Sequence, residues 1–406
     1  MMTITRSSLV RITTLFTLLP LLLANGCDPA STTDYSYRPP QKMDDGFDVG
    51  TLNEVGMNPA LIAEAAGRIE DGRFGEIHSM LIFKDNRLVF EEYFPGHEYQ
   101  WDGPNFHGAW VTWDRDMKHD IASVGKSITS ACVGIAIEEG FIESVEQSMF
   151  DYLPEYRHLK TDGKDRITIE HLVTMTSGLD WDEWSSSLSD TSNDLIALWF
   201  CDDPVGCILE NPLASEPGAA FTYNSGNTVL LGAIVENATG KDIEAFSAEY
   251  LFKPMGIDPV AWHRINDDVI YAGGGQRMTR REMLKFGVTY LNDGLWDGKR
   301  IVSEQWVEAS ARPFPGPGSS WRNRRWNPIP PDDGTPGQRG YSYGWFTHQF
   351  SHSGEKLPSY WATGFGGQKI IVFPDRNAVV VFTSGNYEMP SSNAKILADF
   401  VIPAFE

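Results

Sequence analysis

Hydrophobic residues along the chain fall into two spacings, and each marks a different kind of element. Ser79-Met80-Leu81-Ile82-Phe83 and Leu88-Val89-Phe90-Glu91-Glu92-Tyr93-Phe94 are β-favouring runs on either side of the polar Lys84-Asp85-Asn86-Arg87, which predicts a hairpin. Near the other end, Lys369 to Phe373 and Ala378 to Thr383 flank Pro374-Asp375-Arg376-Asn377 and predict a second pair of core strands. Between these ends the spacing changes. Ile128, Ala131, Cys132, Ile135 and Ala136 recur at steps of three and four, so a helix is expected from Ser123 to Gly140. Helix and loop patterns continue to about residue 260, and Pro59 opens an earlier helix through Ala65. Strands at both ends with helices between them predict a sheet built from distant segments, with a mostly helical insertion at roughly residues 127–260 packed beside it. The Pro- and Gly-rich stretch 313–339, with Trp321 and Trp326, reads as a long loop at a functional rim.

The N-terminus does not belong to that pattern. Arg6 and Arg11 precede a short apolar run from Leu15 to Ala24, a secretory signal of 26 residues and too short to span a bilayer comfortably. Asn25-Gly26-Cys27 resembles a lipoprotein cleavage site, with Ala24 where such sites usually carry leucine, so Cys27 is the expected lipid anchor. Residues 27–46 are polar, carry Pro29, Pro39 and Pro40, and read as a flexible tether ahead of a catalytic domain at 47–406. This predicts an exported protein on the periplasmic side of a bacterial membrane or at the cell surface, touching the membrane only through its anchor.

Composition narrows the partners. At 406 residues and 41% hydrophobic, the chain can bury a large core. Its formal net charge of −22 opposes binding to nucleic acid phosphates. Cys132 falls in the helical pattern as a small buried hydrophobe, whereas Cys201 and Cys207 enclose a turn-rich loop and form a candidate disulfide.

Three segments carry candidate chemistry. In Ser123-Val124-Gly125-Lys126, a serine at a helix start has a lysine one turn on, and a buried lysine can lose its charge and act as a base. A phosphate-loop reading of Gly125-Lys126-Ser127 fails, because Asp120 stands where that loop needs glycine. Tyr223 lies between the turns Pro217-Gly218 and Asn224 to Asn227, placed to project a phenol into a cleft. Trp361 to Gln368 contains Gly364, Gly366 and Gly367, which permit close backbone approach and an oxyanion-binding N–H. Trp181, within the acidic and aromatic cluster 180–184, is a candidate rim residue. His348 and His352 lack a third ligand and read as surface polar residues, so no metal site is expected. No Gly-x-Ser-x-Gly elbow occurs.

Taken with Ile167 to Leu172, Thr176 to Leu179, Leu231 to Ile234, Gly273 to Thr279 and Tyr343-Gly344-Trp345, these segments resemble the serine β-lactamase and penicillin-binding superfamily from about residue 60 to 400. The resemblance implies an α/β fold, an antiparallel sheet with flanking helices plus the inserted helical subdomain, and an active site between them, with Ser123 as nucleophile, Lys126 as its proton acceptor and Tyr223 sharing the proton transfers. The oxyanion hole it implies uses the N–H groups of Ser123 and Phe365, and the reaction needs no metal or organic cofactor. Two positions depart from the pattern. Ser225 replaces the asparagine of Tyr-x-Asn, and Ala362 replaces the cation of the third motif, Ala362-Thr363-Gly364. Losing a charge-assisted bond to a substrate carboxylate costs ~1.5–3 kcal/mol. Both departures resemble the 6-aminohexanoate-dimer hydrolase and esterase branch, which implies small esters or linear amides. A cell-wall D-amino peptidase or β-lactamase, and a catalytically idle envelope-binding module, are the alternative expectations.

Overall fold

The computed structural model describes residues 35–312, 339–387 and 392–405. The signal segment, Cys27 and nearly all of the 313–339 loop lie outside the described residues.

The first hairpin forms as expected, with β1 (Ile77–Lys84) and β2 (Arg87–Tyr93) paired antiparallel. A second, separate hairpin follows, β3 (Pro95–Tyr99) with β4 (His107–Thr112). The short β5 (His119–Asp120) leads into the helical region and pairs with β6 (Arg277–Met278) on its far side. Beyond lie the ribbon β7 (Leu295–Trp296) and β8 (Lys299–Arg300), then β9 (Arg339–Ser342), β10 (Trp345–His352), β11 (Glu355–Gly364), β12 (Gln368–Phe373) and β13 (Ala378–Ser384). Seven strands make one antiparallel sheet in the order β2-β1-β13-β12-β11-β10-β9, so the two ends of the chain meet where β1 pairs with β13.

Period-two alternation sorts the sheet residues to its two faces. Leu81, Phe83, Ile370, Val372, Val379 and Val381 belong to one core cluster; Met80, Ile82, Ile371, Phe373, Val380 and Phe382 belong to the other. On the second face α1 (Pro59–Glu70) packs against the C-terminal turns; it starts at Pro59, with the Asn58 side chain capping its first turn. Between β5 and β6 every regular element is helical: α2 (Gly125–Glu138), α3 (Ile169–Val173), α4 (Asp194–Leu198), α5 (Pro204–Glu210), α6 (Ser225–Thr239), α7 (Ile243–Ser247) and several 3-10 or π turns. Residues 125–136 of α2 are all buried, and its polar side chains Lys126, Ser127, Thr129 and Ser130 each donate to a backbone carbonyl. The covering layer is completed by α8 (Arg280–Leu291), which lies on β12 and β13, and by α9 (Glu304–Ala311), while the short α10 (Asn393–Ile396) joins α1 on the second face.

The structure departs from the expected tether at residues 35–46. Tyr35 donates to Glu92 at 2.6 Å, Tyr37 to the Val89 carbonyl at 2.8 Å, and Val49 bridges to Leu88. Arg281 of α8 holds Asp45 and the Gln41 carbonyl while also pairing with the buried Glu91. Two tyrosines and one arginine thus strap this polar stretch along β2, the outermost strand. His348 also differs from its surface reading. It is buried on β10, against the rings of Phe350 and Trp361. Cys132 is buried and free; Cys201 and Cys207 are disulfide-bonded, with Cα atoms 6.6 Å apart.

Candidate active site

Ser123 sits in a 3-10 turn, Ala122–Val124, that runs directly into α2. Ala122 has φ +45°, a left-handed conformation that side chains resist, and it turns the chain sharply just before the serine. Two glycine segments close on this turn. A Cβ on Gly274 would come 2.4 Å from the Ala122 carbonyl oxygen, and one on Gly364 would come 2.5 Å from that of Ile121 and 3.1 Å from the Ser123 nitrogen. Gly364 therefore ends β11 against the backbone of the serine, and Phe365 follows it into the β11–β12 turn. The residue beside the Ser123 nitrogen is thus Gly364, and the expected oxyanion residue Phe365 is its next neighbour in sequence.

One helical turn on, Lys126 Nζ lies 3.1 Å from Ser123 Oγ and donates to the Gly273 carbonyl at 2.7 Å. Lys126 is almost fully buried, and burial pulls its pKa down to about 8, against the opposing pull of Glu183. Tyr223 closes the third side. The Ser123 side chain acts on its hydroxyl, and its ring stands 5.1 Å from Lys126 Nζ. Burial and the Glu183 charge push the phenol well above its ordinary range, so it stays protonated. The three residues expected to act together are brought together.

Glu183 was not singled out in the sequence. It is buried, its Oε2 accepts from Trp181 Nε1 at 2.7 Å and from the Ser225 N–H at 2.9 Å, and its Oε1 accepts from Ser225 Oγ at 3.0 Å. Burial raises the pKa of this carboxyl, and Lys126 opposes that rise. No pattern in the sequence marks it: residues 180–184 alternate exposed and buried in the structure, but acidic Glu183 turns inward with Trp181 while Asp180, Asp182 and the apolar Trp184 face out. Trp181 is consequently not a rim residue; it holds Glu183. Trp184 takes the outer position, its ring 6.0 Å from that of Tyr223. Ser225 likewise spends its hydroxyl on Glu183. Tyr271, also missed, is buried beside them, its phenol pushed up by burial and by the Glu183 charge.

The third motif has a cation beside it after all. Lys369 on β12 pairs in register with Thr363 and donates to Thr363 Oγ1 at 3.0 Å. His348 and His352 are four residues apart on one strand, a spacing of about 13 Å that no single ion bridges.

A hydroxyl, a partly discharged amine and a neutral phenol around one point can move a proton on and off an acyl acceptor. Residues 78–402 match the sequence model of the family described as Beta-lactamase. The chain belongs to the beta-lactamase family. Over 203 residues it is 30% identical to the 6-aminohexanoate-dimer hydrolase of Paenarthrobacter ureafaciens, a match covering 48% of this chain and 50% of that protein. Over 156 residues it is 32% identical to esterase EstB of Burkholderia gladioli, covering 35% and 39%. The matches thus span half or less of these two relatives. The solved penicillin-binding protein from Bacillus halodurans shares the fold, with a TM-score of 0.59 at 18% identity over 84% of this chain and 99% of that one. This beta-lactamase family member therefore has the expected antiparallel sheet and flanking helices, and its relatives include both ester and amide hydrolases.

Proposed function

We propose that this chain is a serine hydrolase that opens small carboxylic esters or linear amides through an acyl-enzyme on Ser123. The observation that carries this reading is Lys126 Nζ at 3.1 Å from Ser123 Oγ, in a site that draws its pKa to about 8. The Ser123 hydroxyl gives its proton to neutral Lys126 as Oγ attacks the substrate carbonyl carbon. The oxygen of the tetrahedral adduct takes its negative charge beside the N–H groups of Ser123 and Phe365, where fixed dipoles stabilise it. On collapse the bond to the alcohol or amine breaks, and the leaving group takes a proton passed from Lys126 through Tyr223. Water then enters, loses a proton by the same route, and frees the acid and Ser123.

The test is turnover of p-nitrophenyl butyrate by the wild type, Ser123→Ala and Tyr223→Phe. Ser123→Ala is expected to fall to background, and Tyr223→Phe by about 10²–10⁴-fold. Equal rates for all three proteins overturn the reading.

Lys369 beside Thr363 supports a second reading, in which the substrate bears a carboxylate, as in a D-amino peptidase or a β-lactamase. Nitrocefin turnover that falls in Lys369→Met separates it from the first; ester turnover without nitrocefin turnover excludes it. The charged and apolar pattern of residues 1–26 and the Cys201–Cys207 disulfide support export, with Cys27 as the lipid anchor.

A further inference from the structure

A cluster of imidazoles surrounds one carboxylate away from Ser123, where the β3–β4 hairpin folds back on the start of β1. Glu76 Oε1 lies 2.7 Å from His97 Nδ1 and 4.0 Å from His107 Nε2, and these donor atoms all fall within 4.8 Å of one another. The rings of His97 and His107 stack 4.4 Å apart and nearly parallel, so one of them must turn before both can direct an in-plane lone pair at a single ion. A tetrahedral zinc ion, with bonds of about 2.0–2.2 Å, needs donor atoms separated by roughly 3.3 Å, a value that these two distances bracket.

A second observation concerns His78. His119 Nδ1 lies 2.7 Å from the Asp120 carbonyl, which only accepts, so that nitrogen carries the proton. Its other ring nitrogen, Nε2, lies 2.8 Å from His78 Nδ1. His78, a side chain with 0% exposure, turns its own Nε2 toward the cluster, 3.4 Å from Glu76 Oε2, and so brings a further imidazole nitrogen to the same place. Gly96 and Gly385 make room here. A Cβ on Gly96 would come 2.3 Å from His78 Nε2, and one on Gly385 would come 2.8 Å from both that atom and Glu76 Oε2.

We propose that Glu76, His97 and His107 form a zinc site, with His78 as the nearest further donor, that clamps the β3–β4 hairpin to the central sheet. Each histidine binds as the neutral ring with its proton on the other nitrogen, and His107 gives up its present bond to the Gly385 carbonyl. Two histidines and one carboxylate are a donor set suited to this ion, and a fourth position remains for His78 or water. The clamp bears on the neighbouring site. The hairpin's Tyr99 meets Tyr387 at 5.1 Å between ring centres, and Phe106, just before β4, meets Phe365 at 5.4 Å. Metal occupancy would therefore set how firmly the rim beside Phe365 is held.

The experiment uses tag-free, chelator-stripped full chain titrated with zinc against a chromogenic chelator, with thermal melting in parallel. The wild type and Ser123→Ala are expected to bind one equivalent alike and to melt higher when loaded. His97→Ala and His107→Ala replace side chains only 30% and 24% exposed, so circular dichroism first checks that each variant is folded. Both are expected to bind more weakly by at least the 10–100-fold that removal of a merely supporting partner costs. No competition by the wild type, or binding untouched in both folded variants, overturns the proposal whether or not Ser123 is catalytic.

Discussion

Replacing Glu183 by glutamine separates its charge from its hydrogen bonds. The amide oxygen can still accept from the Ser225 N–H and Trp181 Nε1, and the new NH₂ can donate to Ser225 Oγ, which rotates to accept. Packing and bonding are conserved; the negative charge acting on Lys126 is lost. At an effective dielectric of about 20, a carboxylate roughly 6–10 Å from an ammonium contributes ~1.5–3 kcal/mol, or about one to two pKa units. Losing it stabilises the neutral amine, so the pKa of Lys126 falls from about 8 to roughly 6–7. The neutral fraction at pH 6 then rises from about one in a hundred to at least one in ten. The expected result is an acidic limb of kcat/KM for p-nitrophenyl butyrate displaced to lower pH, with about tenfold more activity than the wild type at pH 6. A limb at the same pH in both proteins, or displaced upward, refutes an ionised Glu183 coupled to Lys126. Glu183→Ala behaves differently. It strands two buried N–H donors at ~1–3 kcal/mol each, so a stability loss of about 2–6 kcal/mol is expected in urea unfolding.

Gly364→Ala forces a Cβ to within 2.5 Å of the Ile121 carbonyl oxygen and 3.1 Å of the Ser123 nitrogen, backbone atoms that have little room to yield. Ester turnover is expected to fall at least 10²-fold while far-UV circular dichroism stays unchanged; full activity would refute the placement of the oxyanion loop. Arg281→Ala leaves Glu91 buried without its main partner and frees Asp45 and Gln41, so unfolding should be easier by about 3–5 kcal/mol in a urea titration, with an unchanged midpoint as the refuting result.

Much of this arrangement is legible in the sequence because it is local. Alternation along Met80 to Phe83 and Val379 to Phe382 assigns each side chain to a sheet face, and three-residue spacing puts Lys126 over Ser123. What could not be read depends on partners far along the chain. Glu183 earns its place through Ser225, 42 residues on, and Lys369 reaches Thr363 only through the β11–β12 register. The cluster at Glu76 needs His97 and His107 to be folded back across a hairpin. The 35–46 stretch misleads for the opposite reason: its prolines and polar residues dominate the composition, while Tyr35, Tyr37 and Asp45 decide where it lies.

On the proposal that Cys27 carries a lipid, that strap would alter the mechanics of attachment. A leash reaching to Gly46 would span up to ~65 Å and let the catalytic body swing well clear of the lipid. With the chain already fastened to β2 at Tyr35, only eight residue steps separate body and anchor, a reach of at most ~28 Å. A hydrolase moored so closely would draw its substrates from the thin layer of solution next to the bilayer.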